Sequence, residues 1–83
     1  MAEKKIGEVF DYFAKVGVVA LKLTGGMKIG DKIHIKGSTT DFVQEVKSIQ
    51  IDKNPVEDVK QGDDVGLEVD DRVRKHDKVF LVE

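Results

Sequence analysis

Lys28-Ile29-Gly30-Asp31-Lys32-Ile33-His34-Ile35 (KIGDKIHI) sets a cation, a glycine and an aspartate in front of alternating apolar positions. The phrase returns as Lys60-Gln61-Gly62-Asp63-Asp64-Val65-Gly66-Leu67 and again as Arg74-Lys75-His76-Asp77-Lys78-Val79-Phe80-Leu81. Glycine permits the positive φ of a tight turn, aspartate bonds nearby backbone amides, and a period of two sends successive side chains to opposite faces of a strand. The phrase is therefore a turn followed by a strand start, with His76 in glycine's place in the third copy. The copies are unevenly spaced, so they do not form a solenoid repeat.

Working outward, Lys32–Lys36 and Asp64–Val69 alternate most cleanly and are the clearest strands. Ile6–Phe13 and Val16–Leu23 are rich in valine and aromatic residues, with Ala14-Lys15 as the bend between them. Phe42–Ile51 slips phase once, which reads as a bulge or a change of sheet, and Lys78–Val82 closes the series. In Asn54–Gly62, a capping asparagine, Pro55 at a first-turn position and Glu57 as the far side of a capping box predict one short helical turn at 55–61. The expected fold is an all-β domain of six strands over residues 6–83, with residues 1–5 as a flexible lead.

Composition narrows the chemistry. A chain of 83 residues holds one domain with one modest core. The absence of cysteine excludes disulfides and Cys-ligated zinc. The longest apolar run, Val16–Leu21, is far below the ~20 residues of a membrane-spanning helix, so a cytoplasmic location is expected. Fourteen lysines and arginines against 16 acidic residues give a net charge of -2, so contact with a polyanion requires a local basic patch.

No catalytic or cofactor site emerges. Gly25–Lys32 has Asp31 where a phosphate loop needs lysine, and leads into a strand, not a helix. His34 and His76 are the only histidines and fit strand and turn positions better than a metal site. Asp63-Asp64 and Asp70-Asp71 bracket one strand and fall at its opposite ends, too far apart for a dyad. Ser38, Thr39 and Thr40 have no base at nucleophile spacing and read as a polar loop. The candidate contact residues are cationic. Lys32, His34 and Lys36 line the outer face of one strand, and Arg72, Arg74, Lys75 and Lys78 crowd the last connection. If the two groups meet, they form a positive patch able to hold an RNA backbone, against the interleaved Asp31, Asp70, Asp71 and Asp77.

The run Leu21–Gly37, then Val46–Gln50, Val56–Leu67 and Lys75–Val79, resembles in order and spacing the second domain of translational GTPases of the elongation factor Tu type. It is also similar to the small C-terminal barrel of collagenase-like peptidases and to short free-standing elongation-factor-like proteins. The resemblance implies a single closed six-stranded antiparallel Greek-key β-barrel of the translation-protein type. It further implies a non-catalytic binding module, monomeric and without cofactor, whose partner is tRNA, ribosomal RNA or a ribonucleoprotein. The alternative is a protein-interaction domain that packs on a separately encoded GTPase or peptidase-like enzyme. The GTPase motifs are missing, so GTP hydrolysis does not carry over.

Overall fold

The chain, described by a computed structural model over residues 3–82, is all β. In chain order the strands are β1 (Glu3–Phe13), β2 (Val18–Leu23), β3 (Met27–Lys28), β4 (Lys32–Lys36), β5 (Asp41–Glu45), β6 (Ile49–Ile51), β7 (Asn54–Val56), β8 (Asp58–Val59), β9 (Asp64–Glu68) and β10 (Lys78–Val82). Eight of them form one antiparallel sheet in the order β5-β4-β10-β1-β2-β9-β6-β7, and β3 pairs with β8 alone. Long β1 joins the two halves: its first part pairs with β10 and its second with β2.

The three copies of the phrase adopt one geometry. Asp31, Asp63 and Asp77 each donate their N–H to the carbonyl three residues back, at 3.1, 3.1 and 3.2 Å. Each returns a carboxylate oxygen to that residue's N–H, at 3.0, 3.0 and 2.8 Å. The third turn position has φ of 94° at Gly30, 93° at Gly62 and 75° at His76, the sign a type II turn requires there. The turns launch β4, β9 and β10, whose alternating residues Ile33, Ile35, Val65, Leu67 and Val79 enter the core.

That core is a single cluster fed by both arms of the sheet, including Ile6, Val9, Leu21, Leu23, Ile49 and Val73, all at most 2% exposed. A sheet that buries one face in a single cluster must curl around it. The curl does not become a closed ring: β5 and β7 are edges of the hydrogen-bonded order, which corrects the expected closed six-stranded barrel. Gln44 ties the β5 edge down by another route. This buried residue of β5 donates from Nε2 to the Glu68 carbonyl at 2.9 Å and accepts the Asp70 N–H on Oε1 at 2.8 Å. A side-chain amide thus bridges the seam between β5 and the end of β9, which share no ladder, and the Lys47–Asp70 ion pair at 2.6 Å crosses it nearby.

Two more expectations change. The predicted helical turn at 55–61 is instead β7 and β8. Asp52 and Lys53, at φ of 51° and 67°, make a two-residue hairpin turn that pairs Ile51 with Asn54. Pro55 sits in edge strand β7, where its missing N–H costs no ladder bond. Of the expected lead, Glu3–Lys5 belong to β1 and pair with Val82, Leu81 and Phe80, while residues 1 and 2 lie outside the described residues. The phase slip in Phe42–Ile51 is a change of partner: β5 pairs with β4, β6 with β9, and Val46 between them bonds the turn at Gly30 and Asp31. Ala14-Lys15 lies in the β1–β2 turn, as the composition suggested.

Candidate functional site

The candidate cations separate into two settings. Lys32 stands opposite Glu45, Lys36 lies between Asp41 and Lys78, and Lys78 lies opposite Glu8 with Nζ 3.7 Å from its carboxylate. Each lysine on this outer face therefore has a carboxylate across the ladder. His34, between Lys32 and Lys36, spends both ring nitrogens: Nδ1 lies 2.9 and 3.0 Å from the Glu3 carboxylate oxygens and Nε2 2.5 Å from Asp41. An acceptor on each nitrogen favours the imidazolium over the neutral ring. The Asp41 hydrogen bond first, and Glu3 after it, raise the His34 pKa above its ordinary value, while His34 lowers that of Asp41. The histidine is a clamp across β1, β4 and β5 and is not a free general base.

Arg72, Arg74 and Lys75 occupy the segment between β9 and β10. Val73 is 1% exposed and points inward, so Arg72 and Arg74, one residue to either side, turn outward. They line a cleft of about 280 Å³ together with Thr39, Thr40, Asp41, Phe42 and Asp71. The cleft lies where the start of β5 faces residues 71–74, on the unladdered side of the sheet. Lys32, His34, Lys36, Lys75 and Lys78 are not among its lining residues. A sequence reading could not supply Thr39–Phe42 as the opposite wall, because Gln44 draws β5 toward residues 68–70 through a contact 26 residues apart in the chain.

A third feature is apolar. Phe10, Phe13 and Val16, at the outer end of the β1–β2 hairpin, are 51%, 49% and 68% exposed. A register shift between Val9 and Asp11 leaves Phe10 as an extra residue in β1, turned outward. Val18, Ala20 and Phe42 are partly buried.

No protein-family model matches the chain. Over 79 residues, 94% of its length, it is 43% identical to an uncharacterized protease of Methanocaldococcus jannaschii. The chain is similar to part of a protease. A collagenase of Porphyromonas gingivalis is 32% identical over 77 residues, 90% of the chain. The chain spans about a fifth of the length of these curated relatives, 19% and 21% respectively. Among solved structures, the C-terminal domain of a Geobacillus thermoleovorans protein assigned to the U32 peptidases superposes with a TM-score of 0.90 at 16% identity, covering 96% of this chain and 93% of that one. That likeness carries the fold. The relatives are a protease and a collagenase by name, not translation factors or RNA-binding proteins, which overturns the expectation of a translation-factor module contacting RNA. The similarity to collagenase-like peptidases stands. Among the described residues, no helix is long and apolar enough to cross a membrane.

Proposed function

We propose that this chain is a non-catalytic docking module that packs against the remainder of a U32-peptidase-like protein, fused to it or encoded apart. The observation that carries this reading is the exposed apolar end of the β1–β2 hairpin. Phe10, Phe13 and Val16 are large side chains with about half or more of their surface in water, on a domain most of whose isoleucine, leucine and valine residues are buried or partly buried. Such clusters mark surfaces that another protein covers. The occupant follows from the relatives: a unit matching a fifth of a longer protease has the other four fifths as its natural neighbour. A non-catalytic role fits a chain whose clamped histidine has both ring nitrogens engaged by carboxylates.

The test uses the Methanocaldococcus jannaschii protease with the segment that matches this chain removed. Titrated into it in a calorimeter, the 83-residue chain binds in the micromolar range or tighter. The double variant Phe10→Ser, Phe13→Ser loses about 2 kcal/mol or more of binding free energy, the scale of an aromatic hot spot. No heat and no co-elution of the wild-type chain at about 100 μM, a concentration at which even a weak specific complex of ~8 kcal/mol saturates, refutes the reading.

A further inference from the structure

We propose that the cleft between the start of β5 and residues 71–74 binds a peptide carboxylate. Arg72 and Arg74 supply two guanidinium groups on the same wall, and planar guanidinium grips carboxylate with paired N–H donors. Among the described residues neither forms an ion pair within 4 Å, although two carboxylates share the cleft. Those carboxylates are engaged elsewhere: Asp41 is held by His34, and Asp71 accepts the backbone N–H of Arg72 at 2.7 Å. The arginines are thus left with donors to offer, on a wall that is itself fixed. The Arg74 N–H is tied to the buried Asp77 carboxylate at 2.8 Å, and Val73 anchors the stretch in the core.

The remaining lining selects the kind of anion. Asp41 and Asp71 set negative charge beside the arginines, which opposes a multiply charged polyphosphate more than a single carboxylate. Half-buried Phe42 gives an apolar wall, and Thr39 adds an exposed hydroxyl. A volume of about 280 Å³ suits one or two residues, not a folded surface. β5 has β4 on one side only, and in the β4–β5 register Phe42 bonds toward Ile35 while the backbone groups of Asp41 face away from β4 beside the same cleft, where an extended peptide can align. The choice of a peptide over other carboxylates rests on the peptidase-like reading above; the carboxylate chemistry does not.

The experiment titrates the 15N-labelled chain with acetyl-trialanine as the free acid and as its C-terminal amide, with an amidated peptide carrying one glutamate, and with inorganic phosphate. The free acid is expected to shift the amides of residues 39–43 and 71–74 saturably at millimolar concentration, and the amide to leave them in place. Binding by the amidated glutamate peptide also supports the proposal and identifies an acidic side chain as an accepted source. The double variant Arg72→Gln, Arg74→Gln keeps a dispersed spectrum and binds the free acid at least about tenfold more weakly, as the loss of two charge-assisted contacts requires. Equal shifts from the trialanine amide, phosphate binding as tight as the free acid, or undiminished affinity in the double variant overturns it. Because the variant leaves Phe10, Phe13 and Val16 untouched, loss of peptide binding with docking retained separates this proposal from the docking one.

Discussion

His76 holds a φ of 75° in a turn whose two sister copies use glycine at that position. A side chain in this region costs about 1–2 kcal/mol, and the surroundings enforce it. The His76 N–H donates to the Val9 carbonyl at 2.8 Å, and the Asp77 carbonyl accepts the Val9 N–H at 2.8 Å. Asp77 itself is wedged against Gly37, where an added Cβ would lie 1.9 Å from Oδ1. His76→Gly should therefore raise stability by up to about 1 kcal/mol, the strain relieved less the extra freedom of the unfolded chain. Gly62→Ala, with the same turn and a φ of 93°, should lower it by about 1 kcal/mol, and urea midpoints measure both. A second residue-scale expectation concerns pH. The His34 pKa is raised above 6.5 in the folded chain, so its contribution is complete below 6.5 and disappears as pH rises through the folded value. Asp41 is lowered from 3.8, so its share is present above 3.8 and is lost on acidification through the folded value. The wild-type melting temperature should fall as pH rises above 6.5 and through the folded value, and His34→Gln should remove that part of the slope; a wild-type slope unchanged in the variant contradicts the clamp.

At the scale of elements, what could be read in advance was whatever the chain states locally. The three turns and the alternation of Lys32–Lys36 and Asp64–Val69 need only near neighbours, and each appears where expected. The Asp52-Lys53 turn was hidden because the glycine that usually announces two positive φ values is absent, leaving Asn54-Pro55 to imitate a helix start. The seam was hidden for another reason. Gln44 reads as a polar residue on a half-exposed strand, and only the curl of the sheet brings it to Glu68 and Asp70, 24 and 26 residues away. Gln44→Leu keeps the volume but leaves the Glu68 carbonyl and Asp70 N–H without their partner, a cost of about 1–3 kcal/mol. Hydrogen exchange at Asp70 should accelerate in that variant while the amides of β1 and β2 remain protected relative to their own stability limit. Acceleration spread evenly over the sheet would show that the amide does not act at the seam.

At the scale of the molecule, the same contrast governs the candidate site. Arg72 and Arg74 stand out in the sequence as cations near a strand end, but the Thr39–Phe42 wall opposite them exists only in the folded sheet. The exposure of Phe10 depends on one shift in the pairing of β1 with β2. The topology also places the first and last described residues side by side, since β10 runs between β4 and β1 and pairs Glu3 with Val82. Without Lys78–Val82, β4 and β1 lose their shared neighbour, and the core loses Val79, which is fully buried. Truncation after Asp77 removes a central strand from a domain with ~5–15 kcal/mol to lose, whereas truncating an edge strand would spare the ladder on its far side. The shortened chain should give a collapsed, undispersed amide spectrum. A circular permutant that joins Val82 to Glu3 by a short glycine linker and opens the exposed Asp52-Lys53 turn should fold, because it keeps every ladder of the central strands and cuts only the β6–β7 connection. If the truncated chain retained native dispersion, β10 could not be the strand that holds β4 and β5 to the rest of the sheet.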